Sequence, residues 1–244
     1  MPIIYDIDQG SPDWFLIRMG VPTASEFSRA MTGANRQFST AAHTYAHEKI
    51  AEMITGLRQG GDYVSPAMEM GHITEQEAAD SYEFANDVKT EIVGFMTDDD
   101  GLIGASPDRL VGLDGGVEIK RKEAPAVVDF LLKGRMDEKH RAQVQGNMLV
   151  TGRLWWDWHL YNPDMPRMTV RVPRDERYIS DLRQDLYQFK KLINVKLRTL
   201  AEAGYIDIGE IAARAVRARA HIKGRHVPAP FQYPAEQSVL GPRA

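Results

Sequence analysis

Ser106-Pro107-Asp108-Arg109-Leu110-Val111-Gly112-Leu113-Asp114-Gly115-Gly116-Val117-Glu118-Ile119-Lys120-Arg121 is the stretch on which fold and chemistry both turn. Apolar runs on either side of Asp114-Gly115-Gly116 predict strands over 109–113 and 117–121, joined by a turn in which glycine supplies positive φ. Side chains alternate along a strand, so Glu118 and Lys120 project from one face while Ile119 enters the core on the other. Asp108 stands ten residues before Glu118, at the head of the first strand. Two carboxylates and a lysine therefore converge at a sheet edge. Hard divalent cations such as Mg²⁺ take carboxylate and carbonyl oxygens and keep positions open for water and phosphate. A lysine beside them can orient or deprotonate an attacking water. This is the pattern of metal-dependent phosphodiester hydrolysis; the spacing alone also fits a hairpin carrying a surface Glu and Lys pair.

Working outward, Thr23 with Glu26 three residues on reads as a capping box, opening a helix to about residue 31. A polar loop over 33–40 precedes a helix over 40–54, stopped by Gly56. Ser65-Pro66 opens a helical stretch towards residue 86, interrupted near Gly71. A strand over 90–97 pairs with 102–105 across Asp98–Gly101. Helices over 125–133 and 137–150 come next. In 154–161, Trp156, Trp158 and Leu160 share one strand face, and 168–172 pairs with it. Ile179, Leu182, Leu186, Phe189, Leu192 and Ile193 mark a long amphipathic helix to about residue 200. Strands flanked by helices at both ends predict an α/β fold with a central mixed sheet. The expected organisation is one domain over 1–204 and a basic, Pro-rich C-terminal extension over 205–244.

The chain has 244 residues, no cysteine and a formal net charge of −4. Without cysteine there are no disulfides, iron-sulfur clusters or thiol nucleophiles. No basic and apolar leader opens the sequence and no apolar run reaches the roughly 20 residues of a membrane span, so the expectation is a cytoplasmic protein with no membrane contact. The net charge argues at face value against nucleic acid. It is unevenly spread, however: residues 61–114 hold 13 acidic side chains against Lys89 and Arg109, while 171–244 hold 14 basic and 8 acidic. Arg18, ahead of the hydroxyls of Thr23 and Ser25 at a predicted helix start, makes an anion site of that region. Arg36, in the polar loop, is a candidate for groove or phosphate contact.

The sequence resembles the phage lambda exonuclease family, the alkaline exonucleases of viral recombination within the PD-(D/E)xK nuclease superfamily. The blocks that carry the resemblance occur in order: Trp14-Phe15-Leu16-Ile17-Arg18-Met19-Gly20 with Thr23-Ala24-Ser25-Glu26, Gly71-His72-Ile73-Thr74-Glu75, Ser106-Pro107-Asp108, Glu118-Ile119-Lys120 and Ala142-Gln143-Val144-Gln145. They span roughly two thirds of the chain. The resemblance implies a restriction-endonuclease-like core and a Mg²⁺-dependent 5′-to-3′ exonuclease on double-stranded DNA ends, releasing mononucleotides and leaving 3′ single strands. It implies that Asp108, Glu118 and the Ile119 carbonyl hold a first Mg²⁺, for which Mn²⁺ can substitute, and that Glu75 serves a second. Lys120 would then position the water and Gln143 would bond near the scissile phosphate. Arg18, Thr23, Ser25 and Ser106 would receive the 5′-phosphate, and Met68 stands where the family has an apolar wedge. A homotrimeric ring, a single-strand annealing protein as partner, and a phage or prophage protein in a bacterial host are implied in the same way.

Two other readings share some of these residues. A restriction or repair endonuclease would keep Asp108, Glu118 and Lys120 without a 5′-phosphate pocket. A non-catalytic DNA-binding scaffold would have no use for Glu75, Asp108, Glu118 and Lys120 together.

Overall fold

The structure, a computed structural model, describes residues 1–33, 35–59 and 66–227, without the side chains of 66–74. β1 (Ile3–Tyr5) leads to α1 (Pro12–Arg18), where the Ser11 hydroxyl accepts from the Trp14 N–H at 3.2 Å. Pro12 follows that cap, at a position where a missing N–H costs nothing. The capping box expected at Thr23 does not form. Ala24–Glu26 is a single 3-10 turn without a side-chain cap, and α2 (Phe27–Ala30) is four residues long. Glu26 instead accepts from Arg29 at 3.0 Å.

α3 (Thr40–Thr55) is closed by Gly56 at φ 70°, as the sequence predicts, and is capped by Ser39, whose side chain accepts from the Ala42 N–H. α4 (Pro66–Asn86) runs unbroken through Gly71; the Ser65 cap lies outside the described residues. The strand expected over 90–97 is two strands in two sheets, β2 (Thr90–Glu91) and β3 (Phe95–Thr97). Gly94 lets the chain change sheets: a Cβ there would sit 1.8 Å from the Ile7 carbonyl oxygen. β4 (Gly104–Ala105) completes the expected hairpin with β3.

β5 (Arg109–Val111) and β6 (Gly115–Arg121) pair antiparallel, with Arg109 opposite Val117. Their turn falls earlier than the sequence suggests, at Gly112 with φ 52°. Gly115 and Gly116 belong to the strand, and packing explains them. A Cβ at either position would lie 2.0 Å or 2.4 Å from the rings of Trp155 and Trp156.

α5 (Ala124–Lys133) and α6 (Arg141–Thr151) then cross to β7 (Trp155–Tyr161), parallel to β6, and β8 (Met168–Pro173) pairs antiparallel with β7. The second sheet runs β2-β5-β6-β7-β8, a mixed sheet with helices on both faces, so the expected α/β class holds. Trp156, Trp158 and Leu160 enter the main core, where Phe130 of α5 lies 4.9 Å from Trp158. The opposite face carries Val111, Val117 and Ile119 against Tyr82 of α4. β7 is thus buried on both faces, as a strand in the middle of a covered sheet must be. Phe27 packs where Gly146 leaves room on α6, which ties the Thr23 turn to the helix behind the sheet.

α7 (Glu176–Glu202) starts on an Asp175 cap and buries Ile179, Leu182, Leu186, Phe189 and Ile193, the predicted stripe. Past Gly204 the chain returns to the domain. From α8 (Ile208–Arg219), Arg219 donates to the carbonyls of Leu16 and Met19 at 3.1 and 2.6 Å, and Arg214 donates to those of Met53 and Ile54. β9 (Gly224–His226) adds to β1, giving the sheet order β4-β3-β1-β9. Among the described residues no helix is long and apolar enough to cross a membrane.

Candidate active site

The hairpin register brings the opening stretch together. Asp108, just ahead of β5, accepts the Ile119 N–H on Oδ2 at 2.6 Å. Glu118 turns to the α6 side of the sheet, opposite Ile119, as strand alternation requires. Its Oε1 accepts from Lys120 Nζ at 2.7 Å and Gln143 Nε2 at 2.5 Å, and its Oε2 from Asn147 Nδ2 at 3.1 Å. Glu75 of α4 accepts on Oε1 from Arg109 at 2.9 Å, and the same guanidinium bonds the Asp108 carbonyl at 2.6 Å. Asp108, Glu118, Lys120, Gln143 and Glu75 therefore belong to one connected network.

Electrostatics follow from that crowding. Burial, and then the neighbouring Glu118 carboxylate, hold the Asp108 carboxyl well above the ordinary range; Glu75 pushes the same way. Burial pulls the Lys120 ammonium down, but Glu118 and Asp108 outweigh it and hold the group above its usual value. Among the described residues no three acidic or imidazole side chains form a ready cage for an ion. The donors nevertheless fit a hard divalent cation: they are oxygens, and the repulsion that raises Asp108 is what such a charge relieves. Asp108 and Glu118 would hold it once Glu118 Oε1 exchanged its present donors.

Beside this network is a cavity of about 170 Å³ whose lining includes Arg18, Thr23, Ser25, Lys49 and Arg58. Arg18 lies 3.9 Å over the Trp14 ring and donates to Ser106 Oγ at 2.7 Å; Trp14 Nε1 donates to the same oxygen at 2.9 Å. The Thr23 and Ser25 hydroxyls are 3.4 Å apart. Lys49 and Arg29 are matched by carboxylates, Lys49 by Glu52 at 2.8 Å and Arg29 by Glu48 at 2.7 Å. Among the described residues Arg18 has no such ion pair. Burial lowers its guanidinium to about 10, which leaves it charged at neutral pH. With α2 so short, the attraction for an anion comes chiefly from Arg18 and the hydroxyls rather than from a helix dipole.

Arg36 lies elsewhere, in a left-handed conformation at φ 58° and 3.9 Å from both Asp181 and Asp185. The Met68 side chain is outside the described residues. Sequence reading missed Arg109, Asn147, Lys49 and Glu52. Asn147 had a signal, since it follows Gln143 by four residues and so shares its helix face. Arg109 had none beyond its place next to Asp108.

Residues 13–154 match the model of the YqaJ-like viral recombinase domain. No curated protein matches the chain at the level of sequence. Among solved structures, an alkaline exonuclease from Laribacter hongkongensis superposes with a TM-score of 0.71 at 26% identity, covering 80% of this chain and 98% of its own; its complex with dAMP matches equally. A phage-related exonuclease from Haemophilus somnus shares the fold at TM-score 0.56 and 12% identity, over 74% of this chain and 96% of its own. The domain match spans more than half the sequence and contains every element of the carboxylate network: this chain belongs to the YqaJ-like viral recombinase domain family.

Proposed function

We propose that this protein is a DNA exonuclease of recombination that engages double-stranded ends and degrades one strand 5′ to 3′, releasing mononucleotides and leaving a 3′ single strand. The observation that carries the reading is the Arg18 to Ser106 hydrogen bond at 2.7 Å, which joins the cationic cavity to the carboxylate site. Ser106 is two residues from Asp108, a span of at most about 7 Å of chain, comparable to one nucleotide step. An anion pocket at that spacing captures a terminal phosphate while the next phosphodiester meets Asp108 and Glu118. An endonuclease would have no use for it. The relative bound to dAMP, a deoxynucleoside monophosphate, supports mononucleotide release.

Each residue has a task. Arg18, Ser106, Thr23 and Ser25 bind the 5′-phosphate. Asp108, Glu118 and the Ile119 carbonyl would hold Mg²⁺ or Mn²⁺, with Glu75 serving a second ion. Such ions, when bound, supply a polarised water and neutralise charge on the phosphoryl group. Lys120, drawn to Glu118 and Asp108 in the metal-free protein, would position the attacking water beside the bound ions. Gln143, released from Glu118 Oε1, donates to the phosphate. A homotrimer and a single-strand annealing partner complete the proposal by analogy with the family.

The test is digestion of end-labelled linear duplex beside a covalently closed circle, with 5′-phosphate and 5′-hydroxyl ends compared in Mg²⁺ and in EDTA. Loss of 5′ mononucleotides from linear DNA only, in Mg²⁺ only and faster from phosphorylated ends, is expected. Cutting of the closed circle would establish the endonuclease reading instead.

A further inference from the structure

We infer that Asn147 is a positioning residue for Glu118, fixing which carboxylate oxygen is offered to a divalent cation. The inference rests on the metal-dependent reading above. Glu118 and Asn147 are each 2% exposed, and the Asn147 amide donates to Oε2 at 3.1 Å. The other oxygen, Oε1, takes both partially exposed donors, Lys120 and Gln143. The two oxygens thus differ in kind. Oε2 is tied inward to a neutral amide on a buried helix face, whereas Oε1 is held by the two groups that would turn to water and phosphate. An asparagine suits the inner position. It satisfies a buried acceptor that would otherwise be costly to leave bare, and adds no charge to a site where carboxylates already repel. A lysine there would neutralise Glu118, and an aspartate would compete with it.

Hydrogen-bond partners behind metal ligands typically govern affinity by about 10- to 100-fold. The experiment titrates the full chain with Mn²⁺ without DNA, reading free Mn²⁺ by electron paramagnetic resonance, alongside the Mg²⁺ dependence of hydrolysis. Glu118→Gln is the control that removes the ligand itself. Asn147→Leu keeps the volume but leaves Oε2 bare and should weaken Mn²⁺ binding at least tenfold, raising the half-saturating Mg²⁺ by a similar factor. Asn147→Ala, where water can replace the amide, should retain more affinity than the Leu variant although it leaves the larger cavity. A purely structural role moves stability and leaves metal affinity where it was.

Equal Mn²⁺ affinity in wild type and the Leu variant would overturn the inference, as would loss of cooperative unfolding in both variants. Absence of Mn²⁺ binding by the wild type would instead overturn the metal-dependent reading on which it rests.

Discussion

Lys120 is 23% exposed at its side chain and stays protonated because two carboxylates face it. Replacing it with alanine leaves the Asp108 and Glu118 repulsion uncompensated and removes the donor for the water. Lys120→Ala should lower the hydrolysis rate by about 10³-fold, within the usual range for a positioned proton-handling group, with unchanged far-ultraviolet circular dichroism. A variant within tenfold of wild type would remove Lys120 from the site. Arg18 belongs to the same scale. A hydrogen bond from a charged donor contributes about 1.5–3 kcal/mol, so Arg18→Ala should reduce the preference for 5′-phosphate over 5′-hydroxyl ends by roughly 10- to 100-fold. The rates on the two ends, measured side by side, check it; an unchanged ratio would place the phosphate elsewhere. Asp108, Glu118 and Lys120 were legible in sequence because strand alternation and a ten-residue spacing are local facts. Arg109 was not, because its value comes from Glu75 across the fold.

At the scale of elements, local rules held where a helix decides its own end and failed where a neighbour decides. α3 starts at Thr40 and stops at Gly56 as expected, with Ser39 supplying the cap. Thr23 had the same credentials, but Phe27 and Ala24 are claimed by Gly146 of α6, and the helix stops after four residues. Gly115 and Gly116 looked like a turn because glycine has two uses, and the tryptophans that need their bareness are forty residues away. β7 also carries His159, which is fully buried on the α4 face with Nδ1 2.8 Å from Thr169 Oγ1. Burial lowers its imidazole to about 4, so the folded state holds it neutral. Its stabilising contribution is complete above the unfolded value of about 6.5 and is lost as pH falls towards 4. Between pH 7 and 4.5 the loss from this residue is on the order of 2–3 kcal/mol. His159→Phe should therefore lose less stability over that interval than wild type, as read by urea unfolding at both pH values; parallel losses would show that His159 titrates normally.

At the scale of the molecule, the segment past Gly204 reads in sequence as an appendage, since its arginines and alanines carry a weak apolar pattern. What fastens it is invisible there: guanidinium groups donating to main-chain carbonyls of α1 and α3, and a strand added to β1. Two truncations separate its parts. Ending the chain at residue 227 should leave unfolding and hydrolysis near those of the full chain. Ending it at residue 204 removes the Arg214 and Arg219 bonds and β9, a loss of at least about 3 kcal/mol. The melting temperature should then fall by roughly 6–12 °C, by calorimetry or circular dichroism. Equal melting temperatures for the two truncations would mean that α8 and β9 contribute nothing to the domain.

The order β4-β3-β1-β9 also converts sequence distance into reach. Strands lie about 4.8 Å apart, so β9 and the strand that feeds Ser106 and Asp108 are separated by only three spacings, about 14 Å across the sheet. More than a hundred residues of chain collapse into that width. An edge strand built from the end of the described chain is thereby coupled, through β1 and β3, to the strand that leads into the carboxylate site.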